Sequence, residues 1–230
     1  MTASVTTREY QPIPLPHRMT HSDAEMLARA TDFYALMQQR HTCRFFDDRP
    51  VGREIIDQCL LAAGTAPSGA NRQPWHFALV QSPGARKRIR SEAEAEERAF
   101  YAGKAGKDWL ETLAPLGTDS DKPFLETAAW LIVVFAQRYL VGDDGSRHKK
   151  YYVPESVGIA TGMLITALHN AGLSCLTHTP APMGFLNEIC RRPDHEKPEM
   201  ILVVGHPAAD ATIPAAALDK KTLAEISSTV

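Results

Sequence analysis

Apolar residues recur at helical spacing in three stretches of this chain. The stretches cover approximately residues 23–37, 53–63 and 154–171, and each predicts a helix. Ser22 or Asp23 can cap the first helix, and Gly64 and Gly172 end the other two. The third stretch is apolar nearly all round, so it must be covered on every side. A partner subunit could supply part of that cover.

Shorter apolar runs predict strands. The runs lie at residues 76–81, 130–135, 174–179 and 200–204, and they are too short for helices of ordinary length. Ser82 and Pro83 open a further helix between the first two strands, and residues 184–190 form a short one. The mixed spacing of residues 103–122 predicts a mobile cover over the core.

These elements together predict an α+β fold in which helices wrap a sheet. Residues 1–21 contain alternating prolines and predict an extended N-terminal arm. Residues 22–206 form the single domain, with a lid at about residues 92–122. Residues 207–230 form a C-terminal arm. We expect a homodimer in which the terminal arms are exchanged.

Composition excludes several classes of function. The chain has 230 residues, of which 44% are hydrophobic and 23% charged, with a formal net charge of −2. This balance argues against nucleic acid or an anionic membrane as the main partner. No apolar run reaches membrane-spanning length, and the N-terminus has no apolar signal core, so we expect a cytoplasmic location.

The cysteines and histidines do not predict a disulfide framework or a metal site. The four cysteines, at positions 43, 59, 175 and 190, are far apart in the sequence and show no C-x-x-C spacing. We therefore expect reduced thiols. His17 and His21 share a helical spacing, but they have no acidic or cysteine partner nearby.

Three polar residues alternate directly after the first predicted helix. In an extended backbone Arg40, Thr42 and Arg44 point the same way. A guanidinium group matches phosphate because its planar fork donates two hydrogen bonds at once. The cluster therefore predicts a phosphate site. The residues alone also allow a basic patch that ends the helix and complements its dipole.

A polar loop follows the second helix and leads into an apolar strand. Its residues are Pro67, Ser68, Gly69, Ala70 and Asn71. Glycine permits close backbone approach, and exposed N–H groups can bind an anionic oxygen. The composition by itself favours a surface turn.

These two segments resemble the flavin-binding part of the nitroreductase superfamily. The resemblance implies an FMN whose phosphate and ring contact Arg40, Thr42 and Arg44, and whose edge is lined by the loop at residues 67–71. His41 stands where a second arginine is common in the family.

The same resemblance implies contacts from two further segments. It places the hydroxyl of Thr179 at flavin N5, with Thr177 and His178 beside it at the end of a predicted strand. It also places Lys220 or Lys221 at the phosphate. The residues alone make the two lysines equally consistent with a solvated charge pair.

The helix that begins at Pro83 has an unusual order of charges. Its first half is basic and its second half acidic, with Arg86, Lys87, Arg88 and Arg90 followed by Glu92, Glu94, Glu96 and Glu97. This order opposes the helix dipole. Ion pairs at i,i+4 spacing would offset part of the cost, namely Arg88–Glu92, Arg90–Glu94 and Glu94–Arg98.

An acidic, a phenolic and a cationic side chain lie in the predicted lid. Glu97 and Tyr101 are four residues apart and project from one helical face, and Lys122 follows before the next strand. Together the three could bind both ends of an amino-acid zwitterion. The residues alone favour a solvated surface salt bridge.

This pattern resembles the lid of the iodotyrosine deiodinases. Glu-x-x-x-Tyr, then Trp109, then Lys122 leading into residues 124–128, carries the resemblance. The likeness continues to the Gly205-His206-Pro207 turn and covers nearly the whole chain from about residue 25.

The resemblance implies FMN-dependent reductive dehalogenation of halogenated tyrosines by a homodimer, with an external reductant for FMN. The Ala70 N–H would meet the substrate phenolate, and Glu97, Tyr101 and Lys122 would close over the zwitterion. Two alternatives stay open. One is a general FMN-dependent nitroreductase, and the other is a flavin-based sensor of tyrosine-like ligands without net turnover.

Overall fold

The computed structural model describes residues 9–104, 106–142 and 144–230 of the chain. The first eight residues of the expected N-terminal arm, one lid position and one turn position therefore lie outside the described residues. The helices are α1 (Asp23–Gln38), α2 (Arg53–Gly64), α3 (Pro83–Ala99), α4 (Lys107–Leu113), α5 (Phe124–Thr127), α6 (Val153–Asn170), α7 (Phe185–Ile189) and α8 (Leu223–Ile226). The strands are β1 (Trp75–Val80), β2 (Trp130–Gln137), β3 (Tyr139–Val141), β4 (Arg147–Lys149), β5 (Ser174–His178) and β6 (Glu196–Gly205).

Four strands form an antiparallel sheet in the order β1-β2-β6-β5. The strand β2 lies inside the sheet, and its residues from Trp130 to Ala136 are buried. A strand covered on both faces reads as a continuous apolar run, which is why the sequence predicted it clearly. The expected α+β fold, with helices around a sheet, is confirmed.

The alternation of side chains along β2 divides the core into two layers. Leu131, Val133 and Phe135 pack on one face with residues of α3, α5 and α7. Ile132 and Val134 pack on the other face with residues of α2 and α6. Successive strand residues point to opposite faces, so one strand anchors both layers.

Several predicted boundaries agree with the structure. Ser22 caps α1 in a capping box with Glu25, whose backbone N–H donates to the serine hydroxyl. The second, third and long apolar helices also form where the sequence predicts them. Strand β6 begins at Glu196, four residues before the prediction, because its polar first residues break the apolar run.

Two regions contain short elements that the sequence pattern did not reveal. The hairpin of β3 and β4 was missed, because each strand has only three residues and neither alternates apolar with polar side chains. Residues 103–122, the expected mobile cover, also hold short regular elements. They contain the end of a π-helical turn (Phe100–Lys104), helix α4 and a 3₁₀ turn (Ala114–Leu116). Each of these elements is too short to show one hydrophobic period.

Helix α1 leaves its apolar side chains exposed. None of its sixteen residues is buried, although Leu27 and Phe33 are large apolar residues. Phe33 and the α6 residues Ile159 and Met163 line one open groove of about 570 Å³. An exposed apolar surface of this kind is a candidate interaction site.

Among the described residues, no helix is both long and apolar enough to span a bilayer.

Candidate functional site

A cavity of about 440 Å³ lies between the lid, the C-terminal part of α3 and the end of β5. It brings together the three lid residues that the sequence singled out and four residues of the predicted flavin site. These seven residues are Glu97, Tyr101, Lys122, Arg44, Thr177, His178 and Thr179. The residues come from four separate segments, so only the tertiary fold assembles them.

The three lid residues contact one another and the segment before Lys122 through an ion pair and hydrogen bonds. Glu97 lies in the last turn of α3, and Tyr101 lies in the π-helical turn that follows it. Glu97 Oε2 is 3.6 Å from Lys122 Nζ. The Tyr101 hydroxyl donates to the Thr118 carbonyl at 3.2 Å, and Lys122 Nζ donates to Thr118 Oγ1 at 3.4 Å and to the Asp119 carbonyl.

Lys122 and Glu97 are largely removed from water. Their side chains are 4% and 18% exposed, respectively. A buried charge is costly unless a counter-charge or hydrogen bonds compensate for it. At 3.6 Å the pair is loose, and the remaining partners of Lys122 are neutral oxygens. The arrangement therefore suits a ligand that brings its own carboxylate to Lys122 and its own ammonium to Glu97.

The end of β5 presents two hydroxyls to the site and a histidine to the core. Thr177 and Thr179 are exposed, whereas His178 between them is 7% exposed. The imidazole ring packs edge-on against Phe124 at a centroid distance of 5.8 Å. Its Nε2 is buried without a hydrogen-bond partner among the described residues. Burial, together with the nearby charges of Lys122 and Arg44, lowers the pKa of His178 to about 3.

A second cavity, of about 390 Å³, adjoins the first at Thr177. Arg40 and Thr42 line it together with residues of α6 and β5. Thr42 pairs with Cys175 as an isolated parallel bridge, so the segment after α1 is fastened to the edge of the sheet.

The donors around the two cavities fit FMN. The guanidinium groups of Arg40 and Arg44 are partly buried and form no hydrogen bond or ion pair with the described residues. Two partly buried arginines without counter-charges are typical of a phosphate site. The exposed Thr177 and Thr179 add neutral hydroxyl partners for a polar ring. The residues present are therefore consistent with this cofactor.

Three of the other expected cofactor residues do not line these two cavities. His41 lines a third cavity with Pro207 and Ile213, and this cavity borders the second one at Arg40 and Cys175. Lys220 and Lys221 are exposed in the C-terminal segment, where Lys220 Nζ donates to the Ala217 carbonyl at 2.6 Å. Within one subunit, these side chains do not join the site.

The loop at residues 67–71 contacts the start of α6 and the residues before it, and it also lies outside both cavities. The Gly69 N–H is 3.4 Å from Ser156 Oγ, and Gly69 forms a bridge with Tyr151. Ala70 and Asn71 both have φ of 51°, a left-handed conformation that is rare for residues other than glycine. Ala70 is exposed, and its N–H donates to no described residue. The backbone donor is therefore available to an external acceptor.

A buried polar network supports this loop, and the sequence analysis missed it. Glu196 accepts two hydrogen bonds from Arg192, at 2.6 and 2.7 Å, and one from Gln137 at 2.8 Å. Lys150 Nζ donates to Gln137 Oε1 at 2.5 Å and to the Gln73 carbonyl at 3.3 Å. Its members are up to 123 residues apart in sequence (73 to 196), so no local motif could have revealed the network.

The four cysteines are free thiols, as the sequence predicts. Cys43, Cys59, Cys175 and Cys190 are unpaired. In the described ranges, no group of three or more potential ligands is positioned to hold a metal ion.

Sequence comparisons identify close relatives. A sequence model of the nitroreductase family matches residues 37–206. An iodotyrosine deiodinase of Haliscomenobacter hydrossis is 49% identical over 190 residues, which is 83% of this chain and 86% of that protein. The human protein named iodotyrosine deiodinase 1 is 40% identical, over 95% of this chain and 75% of its own length.

Comparison with solved structures also finds an iodotyrosine deiodinase. A crystal structure of oxidised iodotyrosine deiodinase bound to FMN and 3-iodo-L-tyrosine superimposes with a TM-score of 0.67 and 31% identity, over 77% of this chain and 90% of that one. A BluB-like flavoprotein from Clostridium difficile matches with a TM-score of 0.62 but only 18% identity, over 86% of this chain and 98% of its own, and it shows the fold alone.

Proposed function

Because this chain belongs to the nitroreductase family and, within it, to the iodotyrosine deiodinases, we propose that it is an FMN-dependent oxidoreductase that reductively dehalogenates iodotyrosine and other halotyrosines. One observation carries the proposal from the family to this chain. Glu97, Tyr101 and Lys122 meet in one cavity with the threonines at the end of β5.

FMN is the cofactor, and when bound it supplies the electrons for reduction of the carbon–halogen bond. The residues suited to hold its phosphate and polar groups are Arg40, Thr42, Arg44, Thr177 and Thr179, which line the two adjoining cavities. Thr179 is the candidate for the hydroxyl contact at N5. His41, Lys220 and Lys221 remain candidates for contacts made across a dimer.

The net reaction replaces a carbon–halogen bond by a carbon–hydrogen bond. It consumes two electrons and one proton, and it releases halide and tyrosine. A backbone donor at the phenolate oxygen would favour the charged ring and a nonaromatic tautomer from which halide can leave. The N–H of Ala70 is suited to this role because the loop is anchored at Gly69 and the donor has no partner among the described residues.

The lid residues bind the other end of the substrate. Lys122 and the Tyr101 hydroxyl contact the carboxylate, and Glu97 contacts the ammonium group. Replacing the loose Glu97–Lys122 pair by two opposite charges of the ligand compensates both buried groups. Closure over the ligand also excludes water from the reacting ring.

A homodimer completes the site in this proposal. The Ala70 loop lines neither cavity of its own chain, so the partner's loop would supply the phenolate donor. The exposed apolar face of α1, together with Ile159 of α6, supports an interface there. The terminal arms, 1–21 and 207–230, would extend over the partner.

Anaerobic titration of the reduced holoprotein with 3-iodo-L-tyrosine tests the function. We expect the flavin to be reoxidised without oxygen, with one iodide released for each flavin. Binding without reoxidation would indicate a sensor, and faster reoxidation by nitroaromatics would indicate a general nitroreductase. Failure with all mono- and dihalotyrosines would contradict the proposal.

Substitution of Lys122 tests the lid assignment. Lys122→Ala removes the ammonium that we assign to the substrate carboxylate, so the Kd for 3-iodo-L-tyrosine should rise about 10- to 100-fold. The Kd for FMN should not change. Both constants are measured by fluorescence titration of the oxidised protein. Lys107→Ala is the control, because Lys107 lies in the same lid with its side chain 88% exposed. Unchanged affinity for iodotyrosine would refute the assignment.

A further inference from the structure

The charged residues of α3 hold the segment around Lys122 in place, which the sequence did not indicate. Arg86 Nε donates to the Leu125 carbonyl at 3.1 Å, and its Nη2 donates to the Ala128 carbonyl. These carbonyls lie at the C-terminal end of α5, where backbone acceptors lack helical partners. An arginine near the start of α3 therefore fastens the segment that follows Lys122.

Arg90 fastens the segment around Lys122 from the same helix. It contacts three carboxylates, with Glu94 at 2.6 Å, Asp121 at 2.7 Å and Glu126 at 3.2 Å. Two of these carboxylates flank Lys122 in the sequence. The predicted Arg90–Glu94 and Glu94–Arg98 pairs are present. The predicted Arg88–Glu92 pair is wrong, because Arg88 instead contacts Glu188 at 2.8 Å.

Glu94 connects this cluster directly to the backbone of Lys122. Its Oε1 accepts the Lys122 backbone N–H at 2.9 Å as well as Arg90 Nε. One helical turn further along α3, Glu97 faces the ammonium group of the same lysine. Helix α3 thus holds both ends of Lys122, the backbone through Glu94 and the side chain through Glu97.

We propose that Glu94 and Arg90 are positioning residues for substrate recognition, which hold Lys122 so that its ammonium group stays in the cavity opposite Glu97. This proposal rests on the proposed function only in its choice of ligand. Neither residue lines the cavity, so their effect on the ligand passes through Lys122. Charged hydrogen bonds of this kind fix geometry as well as supplying energy.

A double-mutant cycle tests the proposal by ligand binding alone. In the oxidised, FMN-loaded protein, Glu94→Ala should raise the Kd for 3-iodo-L-tyrosine about tenfold. In the Lys122→Ala background, the same substitution should change the Kd less than about twofold, because its effect passes through the missing ammonium. An equal loss in both backgrounds would overturn the proposal, since it would show a general structural effect. No loss in either background would overturn it as well.

Two further variants separate positioning from misfolding. Glu92→Ala, at an exposed position on the same helix, should leave the Kd unchanged. Asp121→Asn removes one Arg90 contact from a side chain that is 67% exposed. It should raise the Kd about twofold without lowering the melting temperature. Should Glu94→Ala fail to fold, Asp121→Asn provides a second cycle, in which its twofold effect should vanish in the Lys122→Ala background. A Kd of Asp121→Asn equal to that of the wild type, or the same twofold effect in both backgrounds, would overturn the proposal.

The binding cycle can be measured whether or not the protein dehalogenates its ligand, so the two proposals fail separately. If the wild type binds iodotyrosine but releases no iodide, the proposed function fails and the positioning role can still be measured. If the wild type dehalogenates but the cycle shows no coupling between Glu94 and Lys122, the function stands and the positioning role fails.

Discussion

At the scale of single residues, the burial of His178 distinguishes it from the two threonines beside it. His178 lies between two threonines whose hydroxyls face the site, yet its own ring is packed against Phe124. The alternation follows from strand geometry, because successive side chains point to opposite sides. The resemblance grouped all three as cofactor residues. The structure separates the two exposed hydroxyls from an uncharged imidazole beneath them.

The burial of His178 predicts a pH dependence of stability. Burial, with the charges of Lys122 and Arg44, lowers its pKa from 6.5 to about 3. Between these values the unfolded state binds the proton and the folded state does not. Stability is therefore lost as the pH falls through this window, by up to about 1.4 kcal/mol per pH unit.

The comparison of His178→Asn with the wild type isolates this contribution. Urea unfolding of the apoprotein from pH 6.5 to 4.5 should give a free energy of unfolding that falls less steeply for the variant. Other titrating groups cancel in the difference between the two proteins. Parallel curves for the two proteins would contradict the prediction.

At the scale of elements, the loop at residues 67–71 is held by direct backbone contact with the start of α6. A β-carbon on Gly69 would lie 2.7 Å from the Tyr151 carbonyl oxygen and 2.8 Å from the ring of Tyr152. The obstacle is mainly backbone, which cannot move aside cheaply. Gly69 is therefore required for close packing, and a surface turn would not impose this requirement.

Gly69→Ala should lower the free energy of unfolding by about 1–3 kcal/mol, because the loop or α6 must shift. Gly64→Ala is the matched control, since a β-carbon at the end of α2 meets nothing within 4 Å. It should be neutral or stabilising by about 0.5–1 kcal/mol. Urea denaturation measures both variants. Equal midpoints for the two variants would show that the contact between the loop and α6 is not tight.

At the scale of the whole molecule, one chain brings together only part of the expected site. The residues proposed to bind the zwitterion and those proposed to bind the phosphate converge on adjoining cavities, whereas Ala70 does not reach them. The same chain exposes Phe33 and Ile159 along a groove. Both features agree with an assembly in which two copies cover the groove and complete each other's site.

A charge in this groove should prevent the assembly. Ile159 is 46% exposed, and Ile159→Asp would place an unpaired carboxylate in the proposed interface, at a cost of several kcal/mol. We expect a monomer in sedimentation equilibrium and a weaker affinity for FMN. Val141→Asp, at a position that is 44% exposed in β3, should keep the oligomeric state of the wild type. A monomeric wild type, or an Ile159→Asp variant that still dimerises, would contradict the proposed interface.

Local patterns in the sequence determined the main helices and the sheet strands, and the family resemblance singled out the candidate site residues. Hydrophobic spacing and a capping serine are sufficient to place α1, and the spacing of Glu97 and Tyr101 places both side chains on one side of the lid. Tertiary contacts decided the rest. The Glu94 contact with Lys122, the burial of His178 and the network at Glu196 join residues far apart in the chain. Such contacts depend on how elements pack, and no spacing within one element encodes them.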